Sequence, residues 1–347
     1  MKDFAMEDKK MTNNTIPVKR CNPFELFGGL REVGLIVFII ILMALVTLRS
    51  SSFLTSQNFS DVLLDISILV IVAIGQLLVV ITGGIDLSIG SGIALVGMVV
   101  SMVFSANFGL PPGLALLMGA GIGLLLGSFN GLLVAVGQVP PIIATLGTMA
   151  IYRGFVFVIS KGQWINAHQM SEGFKQLTRG NILGIPSLIF MALMISLFFY
   201  YYLNHVRSGR AIYAVGSNPT AAVFAGLKAN KMRFSVYALS GLLYGLAGVL
   251  WVSRFASAQS DSASGFELQS VAAIVIGGAS TLGGSGKISG VLLGSLLLGI
   301  ISNALNVTRI SPFWKLAIQG LIILLAVIGD TLMTDRMQKQ FVRRKRI

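Results

Sequence analysis

Long apolar runs recur along the whole of this 347-residue chain, and they constrain its fold more than any other feature. A hydrocarbon layer about 30 Å thick needs roughly 17 to 25 apolar residues per helix, so each run is long enough to cross a membrane. Only 11% of the residues are charged while 54% are hydrophobic, and a soluble core cannot bury so many apolar side chains. The sequence therefore predicts an all-α polytopic membrane protein. We place ten spans at 33–48, 62–81, 88–105, 113–136, 142–159, 184–203, 234–255, 267–282, 288–305 and 313–329.

The distribution of basic residues predicts the orientation of these spans. With both termini in the cytoplasm, 18 of the 26 Lys and Arg residues lie on the cytoplasmic side, 5 lie outside and 3 lie within spans. Cytoplasmic segments of membrane proteins carry an excess of Lys and Arg, so an even number of spans is favoured. The predicted organisation is a cytoplasmic tail at 1–32, a transmembrane domain at 33–330 containing a cytoplasmic loop at 204–233, and a basic cytoplasmic tail at 331–347. This topology accounts for the net charge of +13, so nucleic-acid binding is not expected.

Glycine recurs at every fourth position in several predicted spans. Residues four apart share one face of a helix, and small residues on that face let a neighbouring backbone approach closely. The pattern therefore predicts tightly packed helices and points to no particular ligand. Its members are Gly119, Gly123, Gly127 and Gly131, then Gly241 and Gly245, and finally Gly286, Gly290 and Gly294.

A faint internal repeat links the two halves of the chain. The sequence VITGGIDLSIGSG at 80–92 aligns with VIGGASTLGGSG at 275–286 when one gap is allowed. Transporters often contain duplicated halves whose glycine-interrupted segments meet near the substrate path. The repeat gives weak support to a transport function.

One short motif is similar to a phosphate-binding loop but lacks two of its essential residues. In GGSGK at 283–287, Thr281 stands where the loop needs its first glycine, and Ile288 replaces the hydroxyl residue that would hold Mg²⁺. The chain is therefore expected to bind no nucleotide. If transport uses ATP, the ATPase is another polypeptide.

The sequence also offers no metal site. Its single cysteine, Cys21, excludes an internal disulfide and a cysteine-based metal cluster. The two histidines, His168 and His205, fall in loops on opposite sides of the predicted membrane. We therefore predict no metal ligands and no resident cofactor.

Ionisable side chains are scarce within the predicted spans. The acids that could enter the membrane are Asp65, Asp86 and Glu267, and the buried cations are Arg153 and Arg254. A carrier driven by a proton or sodium gradient usually has ionisable groups at mid-membrane, so a stand-alone secondary transporter is the second interpretation. A membrane-embedded enzyme is the third, and no catalytic residues are predicted for it. Both arginines are expected to be paired or to extend to the membrane surface.

Asp86 follows a pair of glycines and allows two interpretations. Its carboxylate either caps the helix that begins at Leu87, which we favour, or takes part in the solute path or its gating. A path for a polyol needs only scattered hydroxyl and amide side chains. The candidate path residues are Asp86, Ser88, Asn130, Thr145 and Asn303.

The predicted cytoplasmic loop at 204–233 contains the signals of a short helix. Asn218 is placed to cap it, Pro219 occupies its first position, and Gly226 is placed to end it. Its small face consists of Ala221, Ala222 and Ala225. Such a helix either docks in a groove of another protein or is an ordinary connector, and the residues alone leave both open.

The loop contains the motif G-x-N-x-x-A-A-x-x-x-G at 216–226, and in this motif it resembles the cytoplasmic loop of ABC importer permeases of the ribose type. That branch includes permeases for ribose, xylose, arabinose, galactose, rhamnose and autoinducer-2. The family often has acidic residues after the asparagine where this chain has Pro219 and Thr220, which leaves the detail of the ATPase contact open. The resemblance implies an ATPase-coupling role for Arg210, Gly216, Asn218, Ala221, Ala222 and Gly226. Further motifs in the family's order are TGGIDLSIG at 82–90, ATLGT at 144–148, YRG at 152–154, the stretch 277–294 and ISPFW at 310–314.

The resemblance also implies the partners of the chain. They are two cytoplasmic ABC ATPase subunits that bind ATP and Mg²⁺, a periplasmic or extracellular solute-binding protein, and a second permease subunit in a homodimer or heterodimer. The implied location is the bacterial inner membrane, and the implied cargo is a monosaccharide or a sugar-like solute. Within the branch, YRG at 152–154 followed by Gly162, Trp164 and Ile165 is most similar to permeases for autoinducer-2 and rhamnose.

Overall fold

The computed structural model describes residues 23–308 and, beyond them, positions 314, 317–318, 320–321, 324 and 328. The tenth predicted span, 313–329, and the C-terminal tail therefore fall largely outside the described residues. Residues 23–308 form twelve α-helices and one short hairpin of β1 (Asn181–Ile182) and β2 (Ile185–Pro186). The helices are α1 (Pro23–Arg49), α2 (Ser56–Ile81), α3 (Ile89–Ala106), α4 (Pro112–Gly131), α5 (Pro141–Ser160), α6 (Glu172–Arg179), α7 (Ser187–His205), α8 (Arg207–Ser217), α9 (Pro219–Phe224), α10 (Ala229–Phe255), α11 (Phe266–Ile276) and α12 (Ile288–Val307).

Eight helices in the described part of the chain are long and apolar enough to cross a membrane. They correspond to the first seven predicted spans and to the ninth, so the prediction of an all-α polytopic membrane protein is confirmed. A π-helical turn at Leu132–Val136 extends α4. The total of ten spans and the cytoplasmic position of both termini stay predictions.

The eighth predicted span, 267–282, was wrong in its length. Helix α11 has 11 residues and ends at Ile276, which gives it a length of about 16 Å at 1.5 Å per residue. That is about half of a hydrocarbon layer. Gly277 and Gly278 follow, and Gly278 has a φ of 96°, a backbone conformation that ends the helix and that residues with a Cβ rarely adopt.

Helices α2 and α10 form the centre of the bundle. Every residue of α2 from Ile66 to Ile81 is buried, and α10 packs against α2, α3 and α4. Helix α1 lies at the periphery, where Val37 and Ile40 are among its exposed side chains. In a membrane protein such exposed apolar faces are solvated by lipid.

The glycine stripes pack as the sequence predicts. A Cβ atom placed on Gly123 would lie against the carbonyl oxygen of Gly241 and 2.6 Å from the Cα of Gly245, so α4 and α10 meet backbone to backbone. Gly290 and Gly277 make the same kind of contact between α12 and α11. No side chain larger than hydrogen fits at these contacts without a backbone shift.

Contacts between connections define two ends of the bundle. At the end that carries α8 and α9, the Gly284 amide donates to the Ile81 carbonyl at 2.8 Å, and Lys287 Nζ lies 3.4 Å from the Glu32 carboxylate. At the opposite end, Ile165 and Ala258 form an antiparallel bridge. We call these the α8–α9 end and the opposite end.

The glycine contacts between α4 and α10 lead to a stability prediction. Gly123→Ala and Gly127→Ala should each destabilise the protein by about 1–3 kcal/mol, because the added methyl group overpacks a backbone contact. Gly121→Ala is the matched control, since nothing lies within 4 Å of a Cβ at that position of the same helix. Thermal unfolding of the purified protein in detergent measures the effect. Equal melting temperatures for all three variants would contradict the packing role of the stripe.

Candidate functional site

A short extended segment, 82–88, connects α2 to α3, and Asp86 lies at its centre. The Asp86 side chain is completely buried, and its Oδ1 accepts hydrogen bonds from the Ser88 amide at 2.9 Å and from the Ser88 hydroxyl at 2.6 Å. With its amide oriented to satisfy both groups, Gln76 donates to the Asp86 carbonyl at 3.2 Å and accepts from the Asp86 amide at 3.3 Å. Asp86 thus fixes the chain at the start of α3.

Further polar groups extend this network to α4 and α5. Asn130 Nδ2 donates to the Ser88 hydroxyl at 2.8 Å, and the Thr145 hydroxyl donates to the Ile85 carbonyl at 3.2 Å. The Tyr152 hydroxyl donates to the Leu126 carbonyl at 2.9 Å. Three helices are therefore tied to one extended segment by hydrogen bonds inside the bundle.

The structure brings together four of the five predicted path residues. Asp86, Ser88, Asn130 and Thr145 share this network, and all four are buried. Asn303 lies elsewhere, because it exchanges two 2.9 Å hydrogen bonds with Asn58 near the opposite end. The predicted cap does not form, because α3 begins at Ile89 instead of Leu87 and the Ser88 amide that Asp86 binds precedes the first turn of the helix. A role in the solute path stays a prediction for all five.

A second non-helical segment, 256–265, connects α10 to α11 through a series of turns and runs back into the bundle from the opposite end. Arg153 Nη1 donates to the carbonyl oxygens of Ser260 at 2.6 Å and Ser262 at 3.1 Å. Arg254 lies 3.4 Å from the Asp65 carboxylate. Both arginines thus have polar partners, which is one of the two alternatives predicted for them, but only Arg254 lies within salt-bridge distance of a carboxylate.

The two non-helical segments approach each other where α3 and α11 begin. A Cβ atom on Gly90, the second residue of α3, would lie against the Glu267 carboxylate and 2.6 Å from the Ala263 carbonyl oxygen. Each segment thus enters from one end of the bundle and is followed by a helix that starts inside it. Such interrupted helices are typical of transporters.

Helices α8 and α9 form the predicted cytoplasmic loop. Asn218 ends α8 and caps α9, because its side chain accepts a hydrogen bond from the Ala221 amide at 2.9 Å. Pro219 is the first residue of α9, and Gly226 follows its end with a φ of 82°. The predicted capping residue, first position and terminating glycine are confirmed, and a further helix, α8, precedes α9 in the loop.

The structure changes one member of the predicted small face of this loop, since Ala221 and Ala225 are exposed but Ala222 is not. Ala222 is only 4% exposed and packs with Val215 and Ala229, so its methyl group faces the protein interior. Phe224 is 88% exposed and Val223 is 57% exposed. The sequence analysis missed these two residues, although an aromatic side chain on a short helix of a predicted cytoplasmic loop was a signal. Of the predicted residues, Arg210, Asn218, Ala221 and Gly226 are exposed.

The last turn of α8 contacts two glycine-rich segments in which the chain is not helical, 82–88 after α2 and 277–287 after α11. We call these segments the two breaks. A Cβ atom on Gly216 would collide with the Ile81 carbonyl and lie 2.8 Å from the Gly284 amide nitrogen. The Tyr213 hydroxyl donates to the Gly286 carbonyl at 2.8 Å, and burial raises the pKa of Tyr213 to about 12. The tyrosine therefore remains a neutral hydrogen-bond donor at physiological pH. Gly216 therefore packs within the protein, where α8 meets the two breaks. We call this contact between α8 and the breaks the α8 junction.

A cleft of about 180 Å³ opens near this end, between the α2–α3 segment and α10. Gly83 and Gly84 form one wall, and Gln138, Arg233 and Tyr237 contribute polar groups to the others. The described residues contain no cluster of metal-ligating side chains. Neither the cleft nor the buried network has the arrangement of a catalytic site.

Comparison with known proteins identifies the family. The family described as "Branched-chain amino acid transport system / permease component" matches residues 58–327. The ribose import permease protein RbsC of Escherichia coli (strain K12) is 36% identical over 92% of this chain and 99% of its own length. RbsC of Bacillus subtilis (strain 168) is 38% identical over 87% and 94%. The fructose import permease protein FrcC of Rhizobium meliloti is 36% identical over 86% and 84%.

The chain belongs to this family of ABC importer permeases. It is a transport subunit, not an enzyme, and a multi-pass protein of the bacterial inner membrane. No solved structure matches the chain. The resemblance deduced from its motifs is thereby confirmed.

The α8 junction leads to a prediction about local packing. Gly216→Val should lower the melting temperature of the purified permease, because the new side chain has to displace the Ile81 carbonyl, at a cost of about 1–3 kcal/mol. Ala214→Val is the matched control, since Ala214 is exposed on the same helix. Thermal unfolding in detergent compares the two variants. An unchanged melting temperature for Gly216→Val would show that α8 does not pack on the breaks.

Proposed function

We propose that this chain is the permease of an ABC importer for a monosaccharide or a sugar-like solute, coupled to its ATPase through α8 and α9. The observation that carries the coupling is the α8 junction, which joins the predicted cytoplasmic loop directly to the breaks after α2 and α11. A displacement of α8 would therefore move the segments that precede α3 and α12. Such a two-state movement couples ATP-driven closure of the cassettes to the opening of the permease.

The exposed side chains of α9 support the proposed contact with the ATPase. Phe224 and Val223 project from a six-residue helix that is anchored by its buried Ala222. Aromatic side chains that enter a partner's pocket often dominate the binding energy of an interface. Arg210 and Asn218 are exposed on the same loop and add polar groups at its rim.

The sugar cargo is supported by the printed names of the relatives. Ribose and fructose permeases match most of this chain at 36–38% identity. The D-allose transport system permease protein AlsC of Escherichia coli (strain K12) is 34% identical over 83% of it. The narrower resemblance to rhamnose and autoinducer-2 permeases stays a prediction. The family description favours a second cargo, a branched-chain amino acid.

The proposed assembly contains two permease subunits, two cytoplasmic ATPase subunits and a solute-binding protein at the outer face. This follows from family membership, since an importer permease without a nucleotide-binding loop needs a separate ATPase. In that assembly the α8–α9 end faces the cytoplasm, in agreement with the excess of Lys and Arg there.

The exposed aromatic of α9 gives a direct test of coupling. Phe224→Ala should weaken binding of the ATPase by about 2 kcal/mol or more, a factor of roughly 30, because it empties a pocket of the interface. Co-purification of the ATPase and its stimulation by the loaded binding protein in vesicles measure the effect. Phe198→Ala is the matched control, since Phe198 is 62% exposed on the membrane-spanning α7. Full stimulation of Phe224→Ala would show that α9 is an ordinary connector.

The choice of cargo has its own test. In cells that express the permease with its partner subunits, uptake of radiolabelled ribose should fall at least tenfold when unlabelled ribose, allose or fructose is added in excess. An excess of leucine should leave it unchanged. The reverse pattern, with leucine uptake and no effect of any sugar, would replace the sugar with a branched-chain amino acid.

A further inference from the structure

The segment 256–265 lies deep inside the predicted membrane region, although it is not helical. It leaves the opposite end at Ala258, which pairs with Ile165, and its Ala263 carbonyl lies beside Gly90 of α3. Gly90 is 16 residues before Ala106, so Ala263 lies about 24 Å along α3 from that helix end at 1.5 Å per residue. The segment therefore reaches past the middle of a hydrocarbon layer about 30 Å thick.

The segment has one buried side and one exposed side. Ala258, Ser260 and Ala263 are at most 5% exposed, whereas Asp261 and Ser264 are exposed. Arg153 holds the backbone of this segment, because it donates to the carbonyl oxygens on both sides of Asp261, and its positive charge also interacts with the Asp261 carboxylate. The Asp261 carboxylate makes no hydrogen bond within the described part of the chain.

Lipid does not solvate such a surface. Irregular backbone and charged side chains occur at membrane depth only where they are buried in protein or line a water-filled cavity. A dry contact with a second permease subunit would bury the Asp261 carboxylate, and in a homodimer the same patch of each copy would face its partner. Two like charges in a dry contact destabilise it, so water is the favoured environment.

We propose that the exposed side of residues 259–264 lines the solute path, with the Asp261 carboxylate and the Ser264 hydroxyl binding the hydroxyl groups of a sugar-like solute. The inference rests on the proposed function as a sugar importer. A carboxylate accepts charge-assisted hydrogen bonds from sugar hydroxyls, and a serine both donates and accepts. The buried Asp86 network then supports the fold of the path, while the 259–264 segment contacts the solute.

The reactivity of an introduced cysteine tests whether water reaches the exposed side of residues 259–264. In a Cys21→Ser background, which removes the single native cysteine, Ser264→Cys should react with a membrane-impermeant cationic methanethiosulfonate added from outside. Its rate should exceed that of Leu197→Cys at least tenfold, because Leu197 is 53% exposed on α7, on a face that lipid covers. Trp164→Cys is the positive control, since Trp164 is 55% exposed near the opposite end. Labelling of Trp164→Cys together with an unreactive Ser264→Cys would overturn the proposal.

Uptake kinetics test the contact with the solute. Asp261→Asn keeps the size of the side chain and removes its charge, so uptake at low ribose concentration should fall at least tenfold and recover at high concentration. Wild-type uptake at every concentration would overturn the role of the carboxylate. Co-purification of the ATPase with Asp261→Asn should stay at the wild-type level. The cysteine labelling needs neither ATP nor the ATPase. A loss of ATPase coupling in Phe224→Ala can therefore be distinguished from a failure of the proposal that residues 259–264 line the solute path.

Discussion

Helices α4 and α10 meet with glycine on both sides of the contact, so that their backbones touch without intervening side chains. In lipid, helices gain little from burying apolar surface, and close packing of small residues supplies the association. Gly123 and Gly127 against Gly241 hold α4 on α10, and Gly277 against Gly290 does the same for α11 and α12. The remaining architecture depends on these contacts, because α10 in turn packs on α2 and α3 and so fixes the two non-helical segments.

Those two segments distinguish this bundle from a set of simple spanning helices. One enters from the α8–α9 end and is held by Asp86 and Ser88, and the other enters from the opposite end and is held by Arg153. Polar side chains bind the Ser88 amide and the Ile85 carbonyl in the first segment, and the Ser260 and Ser262 carbonyls in the second, as backbone in a hydrocarbon environment requires. The α8 junction lies directly on the first segment, which gives a cytoplasmic ATPase a mechanical connection to the interior of the permease.

The sequence predicted much of this fold, because hydrophobic length, glycine spacing and helix caps are local signals. Asn218, Pro219 and Gly226 specify α9 through their own backbone preferences, and the structure agrees. The sequence did not predict that α11 is half a span, because the apolar character of 267–282 continues past the glycines that end the helix. Nor did it show that Ala222 is buried and Phe224 exposed, since the orientation of a six-residue helix depends on what it packs against.

The central claim is that the chain transports its solute together with a separate ATPase and not alone. The direct measurement is uptake of radiolabelled ribose into vesicles that contain the permease, its ATPase and the loaded binding protein, with ATP or with an imposed ion gradient as the only energy source. The account predicts uptake with ATP and none with a proton or sodium gradient. Uptake driven by a gradient in the absence of ATP would contradict it and identify a secondary transporter.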